Sequence, residues 1–377
     1  MEKNIKINVV SLGRRWLLDV ARELEKQGYE VAFYTAVPYK RMKKFGLKKE
    51  SSKSIFWIMT PFILLSKMFP VFGMKVMNSV FDYFVSLYMR NSDIYISDVN
   101  IHKKRCFRVA KKKSKFRLLE SGSTHILNQK KLLENYLISK KMPNDKRYCI
   151  KKSDLEDELN QYKECDYILV PSKIVKQTYL ENNYPFNKLF YNPYGVDLSK
   201  FYPLKFSKKE FDIIMTGSWC YRKGCDLIQQ LCLKQNYSFL HIGKIMDMQF
   251  PESANMKHIE AVDQNTLIKY YAKAKIFVLP SREEGLALVQ PQAIACGLPV
   301  VCSKFTGGKD IGEVTDLKEW IFEMKDFSLA ALEEEVSKAL IFCSLNKVFN
   351  RDQLDNISWE AYGRRYSTFI EHLFKNC

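Results

Sequence analysis

Residues 282–301 read REEGLALVQPQAIACGLPVV. The stretch divides into a loop, a helix and a buried strand. The loop turns at Glu284–Gly285. Pro291 suits a first helical turn, where its missing N–H would be unpaired in any case. Gly297 closes the helix as a C-terminal glycine does, and the apolar run at Pro299–Val301 opens the strand. Just upstream, AKIFVLPS (274–281) is another strand-like run. Strand, loop, helix and strand make a βαβ unit, which calls for a parallel sheet. Glu284 and Gln292 then frame the carboxyl end of that sheet, where α/β folds bind ligands.

The pattern extends in both directions. FDIIMTGS (211–218), YSFLHIGK (237–244) and LPVVCSK (298–304) are further strand-like runs with helical segments between them. The chain opens in the same way. IKINVVSLG leads into RRWLLDVARELEKQG, whose Trp16, Leu17, Val20, Ala21 and Leu24 fall at helical spacing, and then into YEVAFYT. A turn-rich segment, LFYNPYGVDLSKFYP (189–203), separates the two series. The expectation is α/β with two doubly wound Rossmann-like domains, 1–188 and 189–357. An amphipathic helix at 358–377 follows them.

Composition narrows the classes. With 46% hydrophobic and 27% charged residues, the 377-residue chain is globular and excludes disorder. Its net charge of +18 favours a polyanionic partner: nucleic acid, anionic lipid or a phosphorylated substrate. No helix-turn-helix or RNA-binding signature accompanies the charge, so nucleic acid is not expected. Ten cysteines without a Cys-x-x-Cys pair read as free thiols in a reducing compartment. No signal peptide is visible. The longest uncharged apolar run, SIFWIMTPFILLS (54–66), is too short to span a bilayer. No carboxylate cluster or His-x-x-x-His pair argues for a metal.

TGSWCYRKGCDLI (216–228) follows a strand and opens a helix. Gly217, then Arg222 and Lys223 before a helix N-terminus, can hold a diphosphate through backbone N–H groups and positive charge. An ordinary βα turn accounts for the same residues. Gly307 and Gly308 in TGGKDI form either a backbone nest for an anion or a tight turn. Asp310 beside them can cap the next helix.

These pieces, in this order, resemble GT-B-fold retaining glycosyltransferases of family 4. The resemblance runs over nearly the whole chain: the Gly13 loop and its helix, ESGSTHI, VPS at 170–172, NPYGVDLSKFYP, GSWCYRKGCDLI, the 280–301 stretch, TGGKDI and the closing SWEAY. It implies two Rossmann-like domains facing a central cleft, with the last helix crossing back to the first domain. It implies a nucleotide-sugar donor held mainly by the second domain, as a substrate rather than a cofactor, without a metal. Glu284 matches the first glutamate of the family's E-x7-E motif, which holds sugar hydroxyls. Gly285, Leu286, Ala287 and Leu288 follow it in the donor-binding set. Gln292 stands where the second glutamate grips the ribose diol. Lys223 matches the phosphate-binding lysine. Ser218 replaces the usual arginine, and Arg222 is a candidate to supply that charge. His125 matches a histidine that reaches the transferred sugar, with a strand-end histidine bonded to nearby backbone as the other reading. Gly13 and Arg14 match the loop approaching the donor phosphate, or form a plain βα turn.

The glutamine keeps the glutamate's shape and loses one charge. It still accepts from one ribose hydroxyl and donates to the other. That is a retuning, not a lesion. On the acceptor side, residues 38–90 join basic runs to Phe56, Trp57, Phe62, Phe69 and Phe72, with Pro61 and Pro70 expected to break any long helix. The block HKKRCFRVAKKKSKFR (102–117) adds cations. Such a surface suits a glycan or lipid-linked glycan acceptor at an anionic membrane, on the cytoplasmic face. The competing readings are a scaffold without turnover and a basic RNA- or membrane-binding protein.

Overall fold

The computed structural model describes residues 3–99, 101–139, 149–204, 208–345, 347 and 350–375. The first half runs β1 (Lys3–Val10), α1 (Leu17–Lys26), β2 (Tyr29–Thr35), α2 (Tyr39–Lys43), β3 (Ser52–Ser54), α3 (Phe56–Met68), α4 (Pro70–Tyr88) and β4 (Ser92–Asp98). It continues through α5 (Lys104–Lys113), β5 (Ser114–Glu120), α6 (Ile126–Ser139), α7 (Lys152–Glu164), β6 (Tyr167–Val170), α8 (Lys173–Glu181) and β7 (Leu189–Tyr191). The strands form one parallel sheet in the order β3-β2-β1-β4-β5-β6-β7.

The second half runs β8 (Phe211–Thr216), α9 (Cys225–Gln235), β9 (Phe239–Ile242), β10 (Met256–Ile259), α10 (Gln264–Ala272) and β11 (Ala274–Leu279). Then come α11 (Val289–Ala295), β12 (Val300–Ser303), α12 (Gly308–Thr315), β13 (Ile321–Met324) and α13 (Leu329–Ser344). Its parallel sheet has the order β10-β9-β8-β11-β12-β13. In each sheet the chain starts in the middle and reverses direction, at β1/β4 and at β8/β11. The loops leaving those strands diverge and open a crevice at the carboxyl ends. Helices cover both faces, so Ile276, Phe277, Val278 and Leu279 of β11 are all fully buried. That is why such strands read as unbroken apolar runs.

The edges depart from the sequence expectation. β7 belongs to the first sheet, paired with β6, so the boundary falls after Tyr191 and not at 188. Three residues followed by Asn192–Pro193 are too short a pattern to read as a strand. β10 and β13 are edge strands carrying Lys257, His258 and Glu323, and their half-polar pattern hid them too. Pro61 does not break a helix. It sits inside α3, and the carbonyl that its missing N–H cannot pair belongs to Trp57, a residue 84% exposed. Pro70 occupies the first turn of α4, as expected of a proline there.

The final helix, α14 (Trp359–Lys375), packs on the first domain. Phe369 stacks on Phe190 with ring centroids 4.0 Å apart, and the Tyr362 hydroxyl donates to Glu120 at 2.8 Å. Arg365 donates to Asn192 Oδ1 and to the Pro193 carbonyl, each at 2.8 Å. The two chain crossings are therefore stapled to each other. No helix among the described residues is long and apolar enough to cross a membrane.

Candidate functional site

The loops after β8 and β11 meet at the reversal point of the second sheet. Arg282 braces them: its guanidinium forks onto Asp226 at 2.7 Å twice and lies 3.5 Å from the centre of the Tyr221 ring. The brace fixes the turn at 221–223 against residues 280–285. Lys223 Nζ then pairs with Glu284, and Ser281 Oγ donates to the same carboxylate at 2.9 Å. Arg222 Nη1 donates to the Glu283 carbonyl at 2.7 Å and lies 3.2 Å from the Glu283 carboxylate and 3.5 Å from that of Glu284. Burial alone would raise the Glu284 carboxyl. Lys223 and Arg222 outweigh it and hold the group below the usual carboxylate range. Arg222 and Lys223, expected from the sequence at a diphosphate, are brought together here beside Glu284.

Glu283 was not singled out in the sequence, yet it joins the two domains. Its carboxylate accepts from the Thr124 N–H at 2.9 Å, from Thr124 Oγ1 at 3.1 Å and from Ser123 Oγ. Those donors lie just before α6, where helix N–H groups lack internal partners. The only signal in the chain was the acidic doublet itself. Other bonds close the same seam. Ser172 Oγ donates to the Gly285 carbonyl at 2.5 Å. Asp310 accepts from the Lys173 N–H at 2.9 Å and the Tyr191 hydroxyl at 2.6 Å, both in the first domain. A side-chain carbon added at Gly285 would lie 2.3 Å from the Gly122 carbonyl oxygen, and one at Gly307 would lie 2.9 Å from Ser172 Cβ. Glycine at both positions lets the domains approach.

A cavity of about 370 Å³ remains between them, walled by Gly122, Ser123, Arg222, Glu283, Glu284 and Gly285, with α6 alongside. It presents the Arg222 guanidinium, the Ser123 hydroxyl and the Glu283 and Glu284 carboxylates inside a partly water-excluding seam, where such groups act strongly, and Lys223 pairs with Glu284 at its edge. Among the described residues no group of three metal-ligating side chains gathers.

The other expected residues divide. Leu286 and Ala287 are buried behind Glu284, and Leu288 precedes α11. Gln292 is half-buried on α11, and its side-chain amide has no hydrogen-bond partner among the described residues. Gly217 ends β8, its carbonyl 2.9 Å from His241 Nε2. Gly308 packs on Cys302 and Gln290. Gly13 lines a different cavity, in the first domain. The Arg14 guanidinium lies 3.5 Å from the centre of the Phe45 ring, away from the Glu284 cluster. His125 is 2% exposed, between the Tyr162 and Tyr179 rings, and its Nδ1 accepts from the Leu127 N–H at 3.3 Å. Burial pushes its pKa down to about 4.

Comparison with known proteins follows the same lines. Residues 210–340 match the family model described as glycosyl transferases group 1. An uncharacterised glycosyltransferase of Methanocaldococcus jannaschii is 26% identical over 184 residues, 42% of this chain and 49% of the relative. The chain thus matches about half the length of that relative. Among solved structures, the sucrose-phosphate synthase of Thermosynechococcus elongatus superposes with a TM-score of 0.66 at 14% identity, over 99% of this chain and 100% of the other. HepE of Anabaena, in complex with UDP and glucose, superposes with a TM-score of 0.63 at 12% identity, over 98% and 100%. The whole chain has the GT-B fold, and its second domain matches the group 1 glycosyltransferases.

Proposed function

We propose that the protein is a retaining glycosyltransferase of family 4. It moves a hexose-type sugar from a nucleotide-sugar donor to a glycan or lipid-linked glycan acceptor, in the building of a bacterial surface polysaccharide or lipopolysaccharide. The observation that carries the reading is the pairing of Lys223 and Arg222 with the buried Glu284 between the domains, at the carboxyl ends of β8 and β11. Donor cleavage leaves a positive sugar carbon and a diphosphate. Lys223 and Arg222 stabilise the departing charge, which removes the need for a metal. Donor phosphate draws these cations from Glu284, whose carboxylate then takes the sugar hydroxyls. Gln292, whose amide has no partner among the described residues, bonds the ribose diol. The acceptor hydroxyl attacks on the face the diphosphate leaves, a phosphate oxygen takes its proton, and configuration is retained. His125 remains neutral over the physiological range, so its part is to shape the first-domain wall or to offer a neutral hydrogen bond. The enzyme works in the cytoplasm on the inner face of the membrane, where lipid-linked acceptors are held.

The test is thermal stabilisation of the full chain by a panel of nucleoside diphosphates and nucleotide sugars in the presence of a chelator. One donor is expected to raise the melting temperature by several degrees, and Glu284→Gln to slow sugar transfer from it by about 100-fold or more. A well-folded sample stabilised by none of them would turn the reading to a scaffold of this fold without turnover.

A further inference from the structure

The outward stripe of α3 is apolar. Trp57, Pro61, Leu64 and Met68 recur at helical spacing along one side of the helix, and all are exposed, Trp57 to 84% and Met68 to 71%. The turn into α4 continues the surface with Phe69, Val71 and Phe72, each more than half exposed. A helix on a soluble domain turns its polar side outward, and contiguous apolar surface of this kind marks an interaction site. Its charges are one-sided. Residues 55–89 hold one acid, Asp82, which is buried and accepts from the N–H groups of Arg105 and Cys106 at the start of α5. Lys67 and Lys75 flank the turn, and Arg108 and Lys112 project from α5, which packs on α4. Among the described residues none of these four cations has an ion-pair partner.

We infer that the α3–α4 hairpin is the docking element for an anionic lipid leaflet: α3 lies along the headgroup boundary with its apolar stripe inserted, and the four cations engage lipid phosphates. Charge decides between occupants. A second copy of this chain, at +18 overall, would set Lys67 and Lys75 against like charges. An anionic leaflet gains from each cation near its surface, and an apolar helix face with flanking cations is the pattern that binds there. The inner side of the same hairpin roofs a cavity of about 720 Å³ over the loops that follow β1 and β2. Ile63, Met74 and Met77 line its roof, and Arg41 and Lys67 stand at its walls. That composition suits an acceptor carrying an apolar chain and an anionic headgroup. The docking surface serves the acceptor side of the proposed transferase and rests on that reading for its purpose, not for its existence.

The experiment mixes the full chain with phosphatidylcholine vesicles, with and without phosphatidylglycerol, and follows co-sedimentation and tryptophan emission. Trp57 is the strongly exposed indole, so its emission shifts to the blue and is quenched by lipids brominated near the headgroup. Trp57→Phe keeps sedimentation and loses most of the shift. Met68→Glu/Phe72→Glu weakens binding to phosphatidylglycerol vesicles at least tenfold and leaves thermal stabilisation by nucleotides unchanged. That last readout separates failure of docking from failure of the transferase reading. No sedimentation with anionic vesicles, or equal sedimentation of the double variant, overturns the inference. So does a lipid-free dimer that the double variant dissolves, which would assign the surface to a second copy.

Discussion

Gln292 sits half-buried on α11, and its side-chain amide has no hydrogen-bond partner among the described residues. A charged hydrogen bond is roughly twice as strong as a neutral one, and a neutral one contributes about 1 kcal/mol. Gln292→Glu is therefore expected to tighten binding of the cognate nucleoside diphosphate about fivefold, measured by calorimetry, with little change in melting temperature of the free protein. Glu284 carries the opposite expectation. Replacing it with glutamine keeps the Ser281 bond and removes the charge that orders Lys223 and Arg222. Turnover should fall by about 100-fold or more, while nucleotide binding persists because the two cations are released toward phosphate. A loss confined to KM would argue against a role in the transfer step.

At the scale of elements, three buried titratable groups sit where strands and helices end. His125 precedes α6, and His241 lies in β9 with its Nε2 toward the Gly217 carbonyl. Burial lowers both to about 4, below the ordinary 6.5. The unfolded chain then takes protons that the folded one refuses, so their share of stability is complete above pH 6.5 and is lost as pH falls toward 4. Glu120, at the end of β5, runs the other way. Burial raises it to about 7, against the bond from Tyr362. Its share is complete below pH 4.5 and is lost as pH rises through 7. The two histidines thus favour the fold as pH rises from 4.5 to 6.5, and Glu120 opposes them over the same range. Glu120→Gln should be the more stable protein at pH 8, by up to about 3 kcal/mol, with the gap closing at pH 4.5. Denaturant melts of both proteins across that range measure it, and an unchanged gap would show that Glu120 is ionised in the fold.

At the scale of the molecule, the two domains are held by few direct bonds, and Glu283 makes three of them. Glu283→Ala leaves the Thr124 N–H without its partner, at a cost of about 1–3 kcal/mol. Amide exchange at the start of α6 should quicken, and the radius of gyration should rise as the seam opens. Gly285→Ala tests the same closure by sterics alone, since the added methyl would meet the Gly122 carbonyl. Both variants should weaken donor binding more than they unfold either domain.

The alternation of apolar runs with helical spacing was enough to show two parallel-sheet domains and to pick out the 280–301 loop, helix and strand. Such patterns are written locally, because a strand buried on both faces and a helix buried on one each carry their own periodicity. The positions of Lys223 and Glu284 in loops, and of Gln292 on a helix, could be read for the same reason: the strands beside them announce where the carboxyl edge of the sheet is. The edges β3, β7, β10 and β13 were not legible, since three or four half-polar residues have no period to read. Nor were the directions of side chains whose partners are far away in the chain. Arg14 turns to Phe45, His125 is enclosed by Tyr162 and Tyr179, and Glu283 reaches across to Thr124, which is 159 positions away. Sequence determined which residues stand at the ends of the strands. Only the packing of one domain against the other decided which of them face the cleft, because that depends on the atoms a side chain meets and not on the residues beside it in the chain.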